Sequence, residues 1–244
     1  MSIIKKCFDT PLISQGEIPA LFFLKLRGIK YLRPPPTYPD IQMPEHPKPK
    51  NVPKVPMYPH GVKPPKMKSM LHLLHYPEEV HNTLIHKQYG IMAVNGGRLK
   101  IEHFDVIKNT LLKKLDFKRM FVIWRVDAPW QAMTKRPVGL TLGGGKGNIH
   151  HYCTPVAPNR VIVEVGGKCH YDEVKYFLKV IADKMPFKAR AVNQSLLEEE
   201  AKKEEEMIER NMNPYTYEYM IKNNMLGCHK YVKKIDYKYF GKYL

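Results

Sequence analysis

The chain has 244 residues, with 40 Lys and Arg against 23 Asp and Glu, a formal net charge of +17. That excess costs self-repulsion in a compact fold and points to a polyanionic partner, nucleic acid first and an anionic membrane surface second. Four cysteines (Cys7, Cys153, Cys169, Cys228) are too few and too scattered for a disulfide scaffold. No run approaches the roughly 18 consecutive apolar residues that a bilayer-spanning helix needs.

Residues 1–33 carry Lys5, Lys6, Lys25, Arg27, Lys30 and Arg33 against Asp9 and Glu17, with apolar residues between. The balance is compatible with an organelle-targeting segment, and equally with a plain basic arm. Residues 34–82 open on a proline-rich stretch, Pro34 to Pro65, with interspersed lysines. Proline lacks an amide donor and fixes φ, so this stretch is expected to be an extended arm.

The texture changes near Tyr89. "YGIMAV" (Tyr89 to Val94) reads as a strand ended by Asn95-Gly96-Gly97. Ile101, Phe104, Ile107, Leu111 and Leu115 then recur at helical spacing. "RMFVIWRV" sets Met120, Val122, Trp124 and Val126 against Arg119, Phe121, Ile123 and Arg125, an alternating strand with a basic residue at each end of one face. "VGLTL" (Val138 to Leu142) is expected to be a strand leading into "GGGKG". "HYCTPVA" and "RVIVEVG" flank Pro158-Asn159, which reads as a hairpin turn. A second amphipathic helix is expected from about Tyr171 to Met185, closed by Pro186, and "FKARAV" as the last strand. Two helices with an antiparallel or mixed sheet make a two-layer α+β sandwich over residues 83–194. Residues 195–244 follow as a charged helix and a tail interleaving tyrosine with lysine, suited to stacking on bases or to packing against a protein.

The glycine loop decides the chemistry. A P-loop needs G-x-x-x-x-G-K-[ST], but Lys146 is followed by Gly147; a dinucleotide fingerprint counted from Gly143 needs glycine where Asn148 stands. His150, His151 and Cys153 with Cys169 and His170 offer metal donors, yet without C-x-x-C or H-x-x-x-H spacing. No nucleophile motif occurs. A metal- or nucleotide-dependent enzyme is therefore the alternative, and a non-enzymatic RNA binder without cofactor or metal the principal expectation. Gly143, Gly144, Gly145 and Gly147 admit positive φ and close backbone approach to phosphate. Lys135, Arg136, Lys146, His150 and His151 supply donors around them. Lys146 is expected to serve binding and not stability.

The run "KRPVGLTLGGGKGNIHHYCTPVAPNRVIVEVGG", with "YGIMAV" before it and "KMPFKARAV" after it, resembles the large-subunit ribosomal protein L-sixteen family in its mitochondrial form. The family pattern K-[KR]-P-x-x-x-R-M-G-x-G-K-G, then P-G-R, then K-[LM]-P, is met by Lys135, Arg136, Pro137, Gly143, Gly145, Lys146, Gly147, Arg160, Lys184, Met185, Pro186 and Lys188. The resemblance covers roughly Thr83 to Gln194. It implies a structural protein of the mitochondrial large subunit, in the matrix and not at a membrane. It would bind large-subunit rRNA near the aminoacyl-tRNA accommodation site and the peptidyl transferase centre, with tRNA nearby and the two extensions against neighbouring ribosomal proteins. Arg98, Arg119, Arg125, Lys168, Lys188 and Arg190 join the candidate RNA contacts for their charge at strand ends. Thr141 and Leu142 stand where the family commonly has arginine and methionine, and Gly144 replaces a lysine usual in bacteria. An extraribosomal RNA-binding role carries the same sequence signature.

Overall fold

The computed structural model describes residues 38, 41–141 and 143–241, so the expected targeting segment lies outside the described residues. After an arm without helix or strand over residues 41–70, a short α1 (His72–His75) leads to β1 (Tyr89–Ala93) and β2 (Gly97–Lys100). Then come α2 (Ile101–Lys114), β3 (Met120–Trp124), β4 (Gln131–Lys135), β5 (Asn148–Val156) and β6 (Val161–Gly167). The chain continues with α3 (Tyr171–Asp183), β7 (Ala189–Asn193), α4 (Gln194–Glu209), α5 (Tyr217–Lys222), a 3₁₀ turn (Met225–Lys230) and α6 (Asp236–Tyr239).

The strands form two antiparallel sheets, one ordered β3-β6-β1-β7 and one ordered β2-β5-β4. The fold is α+β, as expected, but the single sheet of the sequence reading is divided. Both helices bury the faces that periodicity marks. Phe104, Ile107 and Leu111 of α2 meet Val174, Leu178 and Ile181 of α3, and both rows cover Ile91, Val122, Val163 and Val165 of the four-stranded sheet. Each such side chain contributes roughly 1.5–3 kcal/mol by leaving water. Asp172 and Glu173 in the first turn of α3 complement its dipole. Asn193 ends β7 and caps α4, its Oδ1 accepting from the Leu196 N–H at 2.7 Å.

Two expectations are corrected. First, Val138 to Thr141 form no strand; the pairing partner of β5 is Gln131–Lys135, whose Gln131 and Ala132 are buried opposite Cys153 and Tyr152. Second, Pro158-Asn159 is not a hairpin turn. β5 is already flanked by β2 and β4, and β6 by β3 and β1, so the chain crosses from one sheet to the other. Asn159, at φ +64, donates its N–H to Ala93 O at 2.8 Å, and Ala93 donates back to Arg160 O at 2.9 Å, which fixes the crossing on the end of β1. β3 forms as expected and is packed on both sides. Phe121 is fully buried and packs edge-on to the His86 ring at 4.8 Å, while Leu84, Met92, Val161 and Val192 form a small second core on that side.

The proline-rich arm is laid on the domain. Pro47 O accepts from Val122 N at 2.9 Å, Trp124 donates its indole N–H to Lys50 O at 2.9 Å, and Val52 packs against the main core. The tail also folds back in part: Tyr239 stacks on Tyr76 at 6.5 Å and, with Lys238, donates to the Glu79 carboxylate. α4 buries no residue.

Candidate nucleic-acid interface

The glycine loop joins β4 to β5 and begins where the last strand pair, Lys135 opposite Asn148, ends. Its neck is closed by Gly147. A Cβ there would stand 2.6 Å from Lys135 O, so only glycine lets the two strands part at this point. Gly143 and Gly145 have φ of +99° and +78°, and Gly145 N donates to Gly143 O at 2.8 Å, a tight turn that side chains rarely tolerate. Lys135, Arg136 and Lys146 are exposed around it, as are Gly143, Gly144 and Gly145.

The arm holds this loop. Lys146 donates its ammonium to the carbonyls of Lys66 and Met67, and Lys66 donates in return to Lys146 O at 3.2 Å and Asn148 Oδ1 at 3.5 Å. Lys146 is therefore tied to the arm while remaining exposed. Lys66 was not marked by sequence reasoning; its only signal is its place among Lys63 and Lys68 in the arm.

On β5 just past the neck, His150 is exposed and His151 half-buried, with their Nδ1 atoms 3.0 Å apart and their rings perpendicular. One ring must donate and the other accept. Burial, then the charges of Lys100 and His150, pushes the His151 imidazole below its usual value. Lys54, Lys100 and Glu102 line a recess with these two histidines; neither Lys54 nor Lys100 was marked from the sequence.

The candidates chosen for charge at strand ends have other surroundings. Arg98 donates Nη2 to Ser69 O at 2.9 Å and to Ser69 Oγ at 3.1 Å, beside Gln131, whose Nε2 donates to the same carbonyl. Arg125 is 11% exposed and lies 3.8 Å from the fully buried Glu164, whose Oε1 accepts the His86 N–H at 2.6 Å. Arg190 makes a two-pronged pair with Glu200 at 2.5 and 2.6 Å, and Arg119 meets Glu173 at 3.1 Å. Four of the six thus hold internal partners. Lys168 and Lys188 are exposed, but on elements other than the loop hairpin.

The metal donors of the alternative reading are separated. His150, His151 and Cys153 lie on β5, whereas Cys169 and His170 follow β6 in the other sheet. Cys153 is buried with its Sγ 3.7 Å from Gln131 O, and burial pushes the Cys169 thiol up to about 11. Among the described residues no group of three or more His, Cys, Asp or Glu is placed to hold a metal ion, and no helix is long and apolar enough to cross a membrane.

The loop, the Lys66–Met67 part of the arm that holds it and nearly all of the two-sheet domain fall within one matched region. The model of the family described as Ribosomal protein L16p/L10e matches residues 59–192. "Large ribosomal subunit protein uL16" of Halorhodospira halophila is 27% identical over 110 residues, which span 45% of this chain and 78% of that protein. The protein of the same name from Buchnera aphidicola subsp. Cinara cedri is 26% identical over 109 residues, again 45% of this chain and 78% of the relative. With more than half of its length matched, from Pro59 in the arm to Val192 in β7, this chain belongs to the Ribosomal protein L16p/L10e family.

Proposed function

We propose that the chain is a structural, rRNA-binding component of the mitochondrial large ribosomal subunit, without enzymatic activity of its own. The observation that carries this is the β4–β5 loop: a glycine turn with exposed Lys135 and Arg136, braced from below through Lys66 and Lys146. Backbone N–H groups freed of side chains can converge on phosphate oxygens, and the flanking cations neutralise the charge there. Such a loop enters folded RNA, where shape and backbone contacts dominate. The relatives named above are large-subunit proteins. By the family resemblance the loop stands near the aminoacyl-tRNA accommodation site, beside the peptidyl transferase centre, where the reaction is the RNA's and the protein positions it. The basic first 33 residues and the extensions on both sides of the matched region support an organellar member, with neighbouring ribosomal proteins as partners of the extensions.

The test is sedimentation of the tagged chain from a mitochondrial lysate, with large-subunit rRNA probed across the gradient. Co-migration with the large subunit is expected. A chain that stays at the top of the gradient marks an extraribosomal RNA binder, and one absent from mitochondria overturns the organellar assignment. In solution, ~6–10 phosphate contacts would lower rRNA affinity ~10³–10⁵-fold between 50 and 200 mM salt.

A further inference from the structure

Two aliphatic side chains stand exposed on the cationic loop. Val138 is 100% exposed and Leu140 51% exposed, between Arg136 on one side and Lys146 on the other. Single exposed aliphatics are ordinary on any protein. A pair raised on a loop that has no core beneath it is not explained by folding. Leu140 lies over the glycine turn, its Cδ2 3.0 Å from where a Gly144 Cβ would stand, while a Cβ at Gly139 would meet nothing within 4 Å. Pro137 and the positive φ of Gly139 (+88°) set the chain direction on either side of Val138. Val138 is stiff at χ1, so it has little freedom left to lose on being covered.

We infer that Val138 and Leu140 form an apolar wedge that packs on the faces of unstacked bases in folded RNA, between phosphates held by Lys135, Arg136 and Lys146. The inference rests on the RNA-binding reading above and names what the loop tip touches. Charge selects the occupant. Whatever covers these two residues must also bring dense negative charge against three cations within the same loop. RNA does both, because its apolar base faces alternate with phosphates, and aliphatic wedges are a known way of entering base steps. A protein surface would need an apolar patch ringed by carboxylates.

The experiment uses the full chain and the double variant Val138→Ser/Leu140→Ser, which changes no charge. Two probes are titrated over a salt series: a large-subunit rRNA transcript, and heparin, a polyanion without bases. The variant is expected to bind rRNA about tenfold or more weakly, with the same salt slope, the same heparin affinity and the same melting temperature. Unchanged rRNA affinity overturns the wedge and leaves a protein surface as the occupant. A parallel loss on heparin, or a lowered melting temperature, also overturns it, since the residues would then be shaping the loop. If wild-type chain shows no steep salt dependence on rRNA, the RNA-binding reading fails first and the wedge with it.

Discussion

The structure sorts the arginines and lysines into two groups that one measurement separates. Lys135, Arg136 and Lys146 are exposed at the loop, Lys146 keeping one N–H beyond those it gives to the Lys66 and Met67 carbonyls, whereas Arg98, Arg125 and Arg190 are held by internal acceptors. Replacing the first three with alanine removes up to three phosphate contacts. Each contact contributes about 0.7–0.9 to the slope of log K against log salt, so the slope should become shallower by about 2–2.7. Between 50 and 200 mM salt the affinity lost would then be roughly 20- to 40-fold smaller than for the parent chain. The internal arginines should leave the slope as it is and act on stability. Arg125→Ala strands the Glu164 carboxylate, 0% exposed, at a cost of about 3 kcal/mol, or roughly 6–12 °C in melting temperature. Arg190→Ala breaks a pair that is 40% exposed on both sides and should cost under about 1 kcal/mol. Fluorescence anisotropy on an rRNA transcript across a salt series, paired with calorimetry, reads both quantities. A slope unchanged by the loop substitutions, or flattened by Arg98→Ala or Arg125→Ala, would refute the sorting.

Gly147→Ala should force the neck open against Lys135 O and weaken RNA binding, while Gly145→Ala, which meets no atom, should cost only about 1 kcal/mol of backbone strain; equal effects at both positions would contradict the geometry. Lys66→Ala should raise amide hydrogen exchange over residues 143–148 by up to about fivefold with little change in melting temperature, because only the bonds to Lys146 O and Asn148 Oδ1 are lost. His103 and His151 are both held below the ordinary imidazole value, burial being the main cause. His103 also accepts the Lys100 N–H on Nδ1 at 3.0 Å, with Lys100, Glu102 and His150 the charged or titratable groups around the two rings. The folded state favours the neutral rings, so the unfolded chain takes up protons first. Stability should therefore be full above about pH 6.5 and fall as the pH drops from there towards the lowered folded values. A His103→Asn/His151→Asn chain with the same pH slope in thermal melts would rule this out.

Much of the fold is legible in the chain itself. The rows Phe104-Ile107-Leu111 and Val174-Leu178-Ile181 repeat at helical spacing, and the structure buries those residues. β4 escapes notice because "QAMTK" has no alternation and is built from residues that suit helices as well. The crossing at Asn159 escapes notice because a short turn signal says that the chain bends, not which strand the next segment pairs with; that is decided by edges already occupied. For the interface, the glycine turn and its cations can be read locally. Which arginines are engaged cannot, since their carboxylates come from other elements: Glu164 on β6, Glu173 on α3 and Glu200 on α4. The hold of Lys66 on the loop is hidden for the same reason, the two lysines lying 80 residues apart.

β3 ends the four-stranded sheet, so its outer backbone is a ready template for another strand. The arm that runs past it offers Pro47 O to Val122 N, yet with Pro44, Pro47 and Pro49 in sequence it cannot extend a ladder of its own. The chain thus carries its own cover for this edge, one of the places where copies could otherwise pair strand to strand. Shortening the arm would expose that side of the sheet to self-association.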